Sequence, residues 1–436
     1  MQTKTSDYNA EINQYLPIGI AGILALSVNY LCVSGRQSIA LLVSVMYIVF
    51  VLFQPKEDCI IYILMAIPST RSMEVFGISN AVWICLEYLV YIFLKNSGRI
   101  HRELFFPLCL FFMYSLQYLF RFNSIMYGVL QPIKTIIVIG FLYEYAIYDN
   151  KRFFLSSERF CLLLYIWLSG ILFALLPVIL SAGAIGRVSA FNNDSNTLAV
   201  QAAFILSCAT VLFMKKNKPI SFLSYIIVVA FSLGICLLCG SRNGFLLVGF
   251  LFASMIAFNI FDHRVGKSFL IIIALVVLIM IGISTEPVKL YIDSIQRRLR
   301  LLEQSGNLSN HRFELWKEYV DTFNKNYWLW LFGLGTFSFY GLTQMAHNMF
   351  LEDVSSYGIL GMVLLFIIYC RVFRTLYKSN ASLYNEKYHS RVFGMIPFMI
   401  PIIGGITLHS LTNIPNTLML YLGIALMTLS YEVREN

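Results

Sequence analysis

Charge is scarce in this sequence. Only 13% of its 436 residues are Asp, Glu, Lys or Arg, about half the share found in soluble domains, which excludes an ordinary water-solvated fold. Spaced metal-ligand motifs are missing: there is no HExxH, no pair of CxxC pairs and no DxD, so neither a metal nor a cofactor is expected. Walker-type and Rossmann glycine motifs are absent as well, which argues against a reaction driven by ATP or a nucleotide sugar. The nine cysteines, at 32, 59, 85, 109, 161, 208, 236, 239 and 370, lie in or beside apolar runs and read as small buried hydrophobes, not as a disulfide framework. Cys236 and Cys239 make one CxxC, but no second ligand pair or βαβ pattern gives it a redox or metal meaning. No internal repeat supports an inverted-repeat transporter.

What is present is greasy. The chain is 58% hydrophobic with a mean hydropathy of +0.72. Apolar runs of about 17 to 25 residues, enough to cross a hydrocarbon core roughly 30 Å thick, recur from Leu16 to Leu429. Runs this long and continuous are helices, since lipid tolerates only helices and closed barrels. The expected fold is therefore all-α: a polytopic transmembrane bundle of about 12 to 14 spans with one long extracytoplasmic loop. Candidate spans are 16–34, 38–53, 58–70, 80–95, 103–120, 125–148, 160–180, 196–214, 219–239, 243–261, 268–284, 347–370, 392–411 and 413–431, the third being short. This divides the chain into transmembrane helices with short loops over 1–284, an extracytoplasmic loop over 285–346, and C-terminal transmembrane helices over 347–436. The stretch 16–35 reads as a retained first span, because no small-residue cleavage site precedes it.

The net charge of +9 is scattered among interhelical loops, which points to topology and away from nucleic acid. Lys95, Arg99 and Arg102; Lys151, Arg152 and Arg159; Lys215, Lys216 and Lys218; Arg264 and Lys267; and the basic residues from Arg371 to Arg391 fall in alternate loops. The positive-inside rule makes those loops cytoplasmic, together with both termini. The outer side then receives 121–124, 181–195, 240–242 and 285–346, and it keeps Arg187, Arg242, Arg297, Arg298, Arg300 and Arg312 with few lysines. Arginine in preference to lysine suits bidentate recognition of phosphate or carboxylate. For Arg297, Arg298 and Arg300 a place near lipid headgroups explains the same residues.

Four outward stretches collect polar groups at helix ends. In GRVSAFNNDSNTLA (186–199), Asp194, Ser195 and Asn196 stand where a helix cap is expected. The same end would also offer free N–H groups and a positive dipole to an anion, with Arg187 upstream. In GSRNGF (240–245), Arg242 follows a span directly, and a guanidinium there must be paired or face a wet cavity. NHRFELWKEYVDTF (310–323) reads as an amphipathic helix with Phe313, Trp316, Val320 and Phe323 on one stripe and Arg312 off it. AHNMFLEDVSSYGILG (346–361) places His347 at the mouth of a span, where an imidazole is either a hydrogen-bonded structural group or a general base for a hydroxyl. Glu352 and Asp353, one turn later, would orient it, orient the acceptor, or cap the helix. Inside the apolar runs Glu87, Lys134 and Glu144 need partners or a cavity; Lys134 follows Pro132, and Glu144 is near enough to its helix end to reach the interface.

These stretches together resemble the O-antigen polymerase and ligase family of bacterial envelope glycosyltransferases. The likeness is carried by Arg312 and Trp316, the turn Gly333-x-Gly335, His347-Asn348, Leu351-Glu352, and Gly358 with Gly361; Arg187 with Asn196 and Ser241 with Arg242 match two upstream signatures in order. It spans about residues 180 to 370. The resemblance implies metal-independent, inverting glycan transfer from an undecaprenyl-diphosphate-linked donor at the outer face of the bacterial inner membrane. Arg187, Arg242 and Arg312 would hold the diphosphate, His347 would activate the acceptor hydroxyl, and Asn196, Asn348, Glu352 and Lys134 would support them. The partners implied are the lipid-linked glycan, membrane lipid, a chain-length regulator and a flippase. A polymerase of O-antigen, capsule or exopolysaccharide repeat units is the first expectation. A ligase acting on lipid A core or protein, a flippase of lipid-linked sugars and a non-catalytic scaffold are the others.

Overall fold

The computed structural model describes residues 2–69, 73–96, 101–149, 157–182, 195–214, 221–261, 312–335, 342, 344–381, 394–405 and 413–429, with isolated positions between 269 and 300. The described chain is a bundle of apolar helices, as expected. α1 (Gln2–Val33), α2 (Gln37–Leu52), α3 (Cys59–Ala66), α4 (Asn80–Lys95), α5 (Arg102–Ser115), α6 (Gln117–Phe122), α7 (Gln131–Tyr148) and α8 (Ser157–Ala182) build its first half. α9 (Ser195–Met214), α10 (Phe222–Leu238), α11 (Arg242–Phe261), α12 (Arg312–Lys325), α13 (Trp328–Phe332), α14 (Met349–Ala381), α15 (Ile396–Gly404) and α16 (Ile414–Leu429) follow. Among the described residues five stretches are long and apolar enough to cross a membrane: Tyr15–Val33, Glu103–Phe122, Gly128–Tyr148, Ser195–Phe213 and Met349–Lys378. Shorter apolar helices lie beside them. The protein is an integral membrane protein.

Two expectations, the span at 58–70 and the place of Glu144, are corrected. The span at 58–70 is an eight-residue helix between two 3-10 turns, every residue of it buried, so it plugs the bundle without reaching lipid. Within the span expected at 392–411 the described residues form the helix Ile396–Gly404, with Pro401 inside it. Glu144 is 2% exposed and lies 2.9 Å from His101 Nδ1, so it is paired inside the protein and does not reach the interface. The fold also contains one tiny sheet: Glu74–Val75 pairs antiparallel with Ile78–Ser79 across Phe76 and Gly77, both at positive φ, as a type I′ turn demands. The span at 268–284 and most of the loop at 285–346 lie outside the described residues.

α9 is the axis of the second half, with 94% of its span buried. Its alanines, Ala199, Ala202, Ala203 and Ala209, are fully covered, which lets α8, α10, α11, α15 and α16 approach it closely. Two of its polar side chains are answered by those neighbours: Trp167 Nε1 donates to Gln201 Oε1 at 3.0 Å, and the Thr210 and Tyr225 hydroxyls meet at 3.1 Å. Cys236 of the CxxC lies against the Ala199 carbonyl at 3.8 Å, part of this packing.

α14 is broken at Gly358, where φ is 66°. Into the break fits the end of α13, so closely that a Cβ on Gly333 would lie 2.6 Å from the Gly358 nitrogen. Gly333 and Gly335 also have positive φ, so all three glycines meet a conformational as well as a spatial requirement. Two tyrosines on α5 and α6 bolt the crossing: Tyr114 Oη donates to the carbonyls of Leu331 (3.2 Å) and Tyr357 (2.6 Å), and Tyr118 Oη to that of Phe332 (2.8 Å). We predict that Gly333→Ala or Gly358→Ala destabilises the detergent-solubilised protein by about 3 kcal/mol or more, seen as a lowered melting temperature. Gly234→Ala on α10, where an added Cβ meets nothing within 4 Å, serves as the neutral control.

Candidate functional site

Alternation of the helices puts the turns 34–36, 121–124 and 239–241 at one end of the bundle, called the site end below. Here α11 begins on a cap. The Ser241 hydroxyl accepts the Gly244 N–H at 3.2 Å and donates to Asn196 Oδ1 at 2.9 Å, tying the start of α11 to the start of α9. Gly244 permits this approach, since a Cβ there would stand 2.8 Å from that of Ala199. The neighbouring Asn243 Nδ2 donates to the Gly404 carbonyl at the end of α15, at 3.3 Å. The next residue, Gly405, packs against Met349 at the start of α14. A continuous run of contacts therefore links Asn196, Ser241, Asn243, Gly404, Gly405 and Met349, and ends beside Asn348 and His347.

His347 is held by its backbone. Asn348 caps α14, its Oδ1 accepting the N–H groups of Phe350 and Leu351 at 3.1 Å each. Glu352 reaches back, and its Oε1 accepts the His347 N–H at 2.9 Å, a capping box displaced by one residue. His347 itself has φ of 50°, the left-handed region that a residue with a Cβ rarely enters unless its surroundings impose it. From the other side α12 holds the preceding strand of loop: Trp316 Nε1 donates to the Ala346 carbonyl at 2.8 Å and Tyr319 Oη to that of Gln344 at 2.9 Å. Burial pushes the Tyr319 phenol up, and the Glu352 and Glu318 carboxylates push it further, so Tyr319 stays protonated and can donate. The α12 stripe differs from expectation at one place: Phe313 is exposed, edge-on to Trp316, and Tyr319 takes the buried position beside Phe323.

Arg312 starts α12 one turn before Trp316 and is half-buried; Arg242 is the first residue of α11 and is exposed. Arg187 lies outside the described residues. Lys134 forms an ion pair with Glu74 of the hairpin at 3.2 Å. One cation escaped the sequence reading: Arg121, whose Nη1 is 3.5 Å from the Gly333 carbonyl and whose guanidinium lies 5.0 Å from the centre of the Phe122 ring. Its signal was visible, since it is a basic residue in a turn assigned to the outer side. Tyr114 and Tyr118 carried no such signal.

Residues 226–366 match the family described as Wzy_C, O-antigen ligase. Over this stretch, about a third of its length, the chain is similar to the O-antigen polymerase and ligase family. The matched stretch contains Ser241, Arg242, Arg312, Trp316, both glycine partners of the backbone crossing, His347, Asn348 and Glu352; Arg187 and Asn196 precede it. Members of this family are glycosyltransferase-like enzymes acting on glycans, and the protein has a role in the assembly of O-antigen or a related glycan. Neither the curated proteins nor the solved structures compared with the chain gave a match.

The tie between the two helix starts is open to a double-mutant cycle. Ser241→Ala is expected to cost about 1 kcal/mol through the lost cap, and Asn196→Leu to show a coupling energy with it of about 1 kcal/mol in thermal melts. Glu352→Gln keeps an acceptor for the His347 N–H and should retain most activity. Glu352→Leu removes that acceptor, and activity should fall about tenfold or more while the protein remains folded.

Proposed function

We propose that the protein polymerises lipid-linked oligosaccharide repeat units, moving the growing glycan from undecaprenyl diphosphate onto the next unit at the outer face of the bacterial inner membrane. The observation that carries this reading is the run of contacts from Asn196 through Ser241 and Gly404 to Met349 and His347. It gathers the starts of α9, α11 and α14 at one end, and helix starts present N–H groups and positive dipole ends to an anion. Arg242 and Arg312 stand at two helix starts of this end, and Arg187 precedes the third in sequence.

In this mechanism the arginines and helix starts hold the diphosphate and take up the negative charge that develops as it leaves. His347 accepts the proton of the acceptor hydroxyl. The acceptor oxygen forms its bond to the anomeric carbon as the bond from that carbon to the phosphate oxygen breaks. Undecaprenyl diphosphate departs with the electron pair, and a single displacement inverts the anomeric centre. Asn348 and Glu352 fix the backbone of the base. Lys134, neutralised by Glu74, supports the site as an anchored scaffold charge. In this reading both termini lie in the cytoplasm, and a chain-length regulator and a flippase are the partners the pathway would require.

The likeness of residues 226–366 to the O-antigen ligase family favours a second reading, in which the finished glycan is moved to lipid A core or protein. One experiment separates them. In cells lacking the gene, wild-type protein should restore the glycan ladder on a gel, whereas His347→Ala and Arg242→Ala should not, each lowering turnover about 100-fold or more. A single repeat unit left on lipid A core marks a polymerase. Absence of all attached glycan, with long chains accumulating on the carrier, marks a ligase. Full rescue by His347→Ala removes the histidine from the chemistry.

A further inference from the structure

Charge disappears from the loop after α12. That helix exposes Glu314, Lys317, Glu318, Asp321 and Lys325, whereas the twenty residues from Tyr327 to Ala346 include no Asp, Glu, Lys or Arg. The polar run Asn324-Lys325-Asn326 gives way to Tyr327 and Trp328, residue types that favour a membrane–water boundary. α13 then has two sides. Leu329 is buried and the Trp330 ring lies 4.7 Å from that of Phe323, so these two face α12. Tyr327, Trp328 and Leu331 face outward, the first two being 75% and 65% exposed.

The helices that α13 crosses fix its depth. At the opposite end of the bundle the Arg371 guanidinium donates to the Glu103 carbonyl, which puts these two residues at one level. Counted from that level at 1.5 Å per residue, Tyr114 stands about 16 Å up α5 and Gly358 about 20 Å up α14. The next charge along α5 and α6 is Arg121, about 27 Å up, so the uncharged stretch below it nearly matches a hydrocarbon core of roughly 30 Å. Tyr114 binds the Leu331 carbonyl, and Gly358 is where α14 receives Gly333. By both counts the crossing lies about 7 to 11 Å below Arg121, inside the leaflet at the site end. Irregular backbone is tolerated at that depth only where protein answers its polar groups. Here Tyr114, Tyr118 and Arg121, one stripe at helical spacing, answer the carbonyls of Leu331, Phe332 and Gly333, and the Ser355 carbonyl accepts the Leu334 N–H.

We propose that the segment 327–335 re-enters the membrane, and that Tyr327, Trp328 and Leu331 make a lipid-binding face seated among the acyl chains of the leaflet at the site end. Continuity argues for lipid: Met113, next to Tyr114, and Ile359, next to Gly358, are themselves exposed on membrane-crossing stretches. A second copy of the chain is the poorer occupant, since three side chains fall far short of the roughly 800 Å² per partner that a stable protein interface buries. Seated this way, the loop that carries α12 has a foot in the bilayer. Trp316 and Tyr319 then hold the residues before His347 at a set height above it.

The test is tryptophan quenching of the full-length protein in nanodiscs of phosphatidylcholine brominated in the upper part of its acyl chains. Subtracting the emission of Trp328→Phe from that of the wild type isolates Trp328. Trp316→Phe does the same for Trp316, which bonds the Ala346 carbonyl ahead of α14. Relative to unbrominated lipid, the Trp328 emission should fall about twofold or more, while that of Trp316 should hold to within about a tenth. A Trp328 emission that bromine leaves unchanged overturns the proposal: quenching by aqueous iodide then puts α13 in water, and resistance to iodide as well puts a protein surface, such as a second copy, over it. Equal loss from both tryptophans overturns it too, in favour of a loop lying flat on the membrane surface. If Trp328→Phe fails to fold, Tyr327→Trp adds a reporter to the same face, and its extra emission must show the same loss.

Discussion

Two backbones touch where α13 ends and α14 breaks, and the placement of His347 depends on that contact. Helices in lipid satisfy their own backbone groups, so a second chain segment can approach this closely only where side chains are missing and the helix is interrupted. Gly333 and Gly358 supply both conditions. With the crossing in place, the loop that carries α12 is no longer a free soluble excursion; it is anchored to the same helix that begins with the histidine. Tyr114 and Tyr118 extend the anchor to α5 and α6. The imidazole is thus fixed relative to both halves of the bundle by hydrogen bonds that avoid its ring.

A second constraint runs parallel to the first. Ser241 serves two helices with one hydroxyl, capping α11 and binding Asn196 of α9. Asn348 and Glu352 perform the equivalent service at α14. At each helix start a short polar side chain satisfies the backbone locally, and the larger cations at Arg242 and Arg312 are left at the edge of the cluster. Capping and anion recognition share the same few residues because both exploit the same unpaired N–H groups.

Much of this was legible along the chain. The run 80–95 coincides with α4 end for end, and 196–214 and 243–261 differ from α9 and α11 by one residue at their starts, because the polar breaks in a greasy sequence are sharp. The order of the motifs pointed to one site for the same reason: alternate helices must return to the same face. What hydropathy conceals is pairing between distant segments. Glu144 finds His101 across 43 residues and Lys134 finds Glu74 across 60, and nothing in local periodicity foretells either. The break at Gly358 was hidden because apolar residues continue through it. The burial of Tyr319 in place of Phe313 was hidden because both are aromatic and differ only in which can donate to the Gln344 carbonyl.

The burial of α9 has a consequence for how the protein is made. Its span is apolar enough to enter a bilayer alone, yet in the finished bundle almost none of it meets lipid. Gln201 waits on Trp167, already synthesised; Thr210 on Tyr225, the next span; Asn196 on Ser241, the turn after that. The last of its wall comes from α15 and α16, about two hundred residues later in translation. During biogenesis this helix must therefore stay surrounded by lipid or by an insertion factor, and exchange those temporary neighbours one by one. A ribosome stalled before α15 would leave a half-walled intermediate, the form of this protein most exposed to membrane quality control.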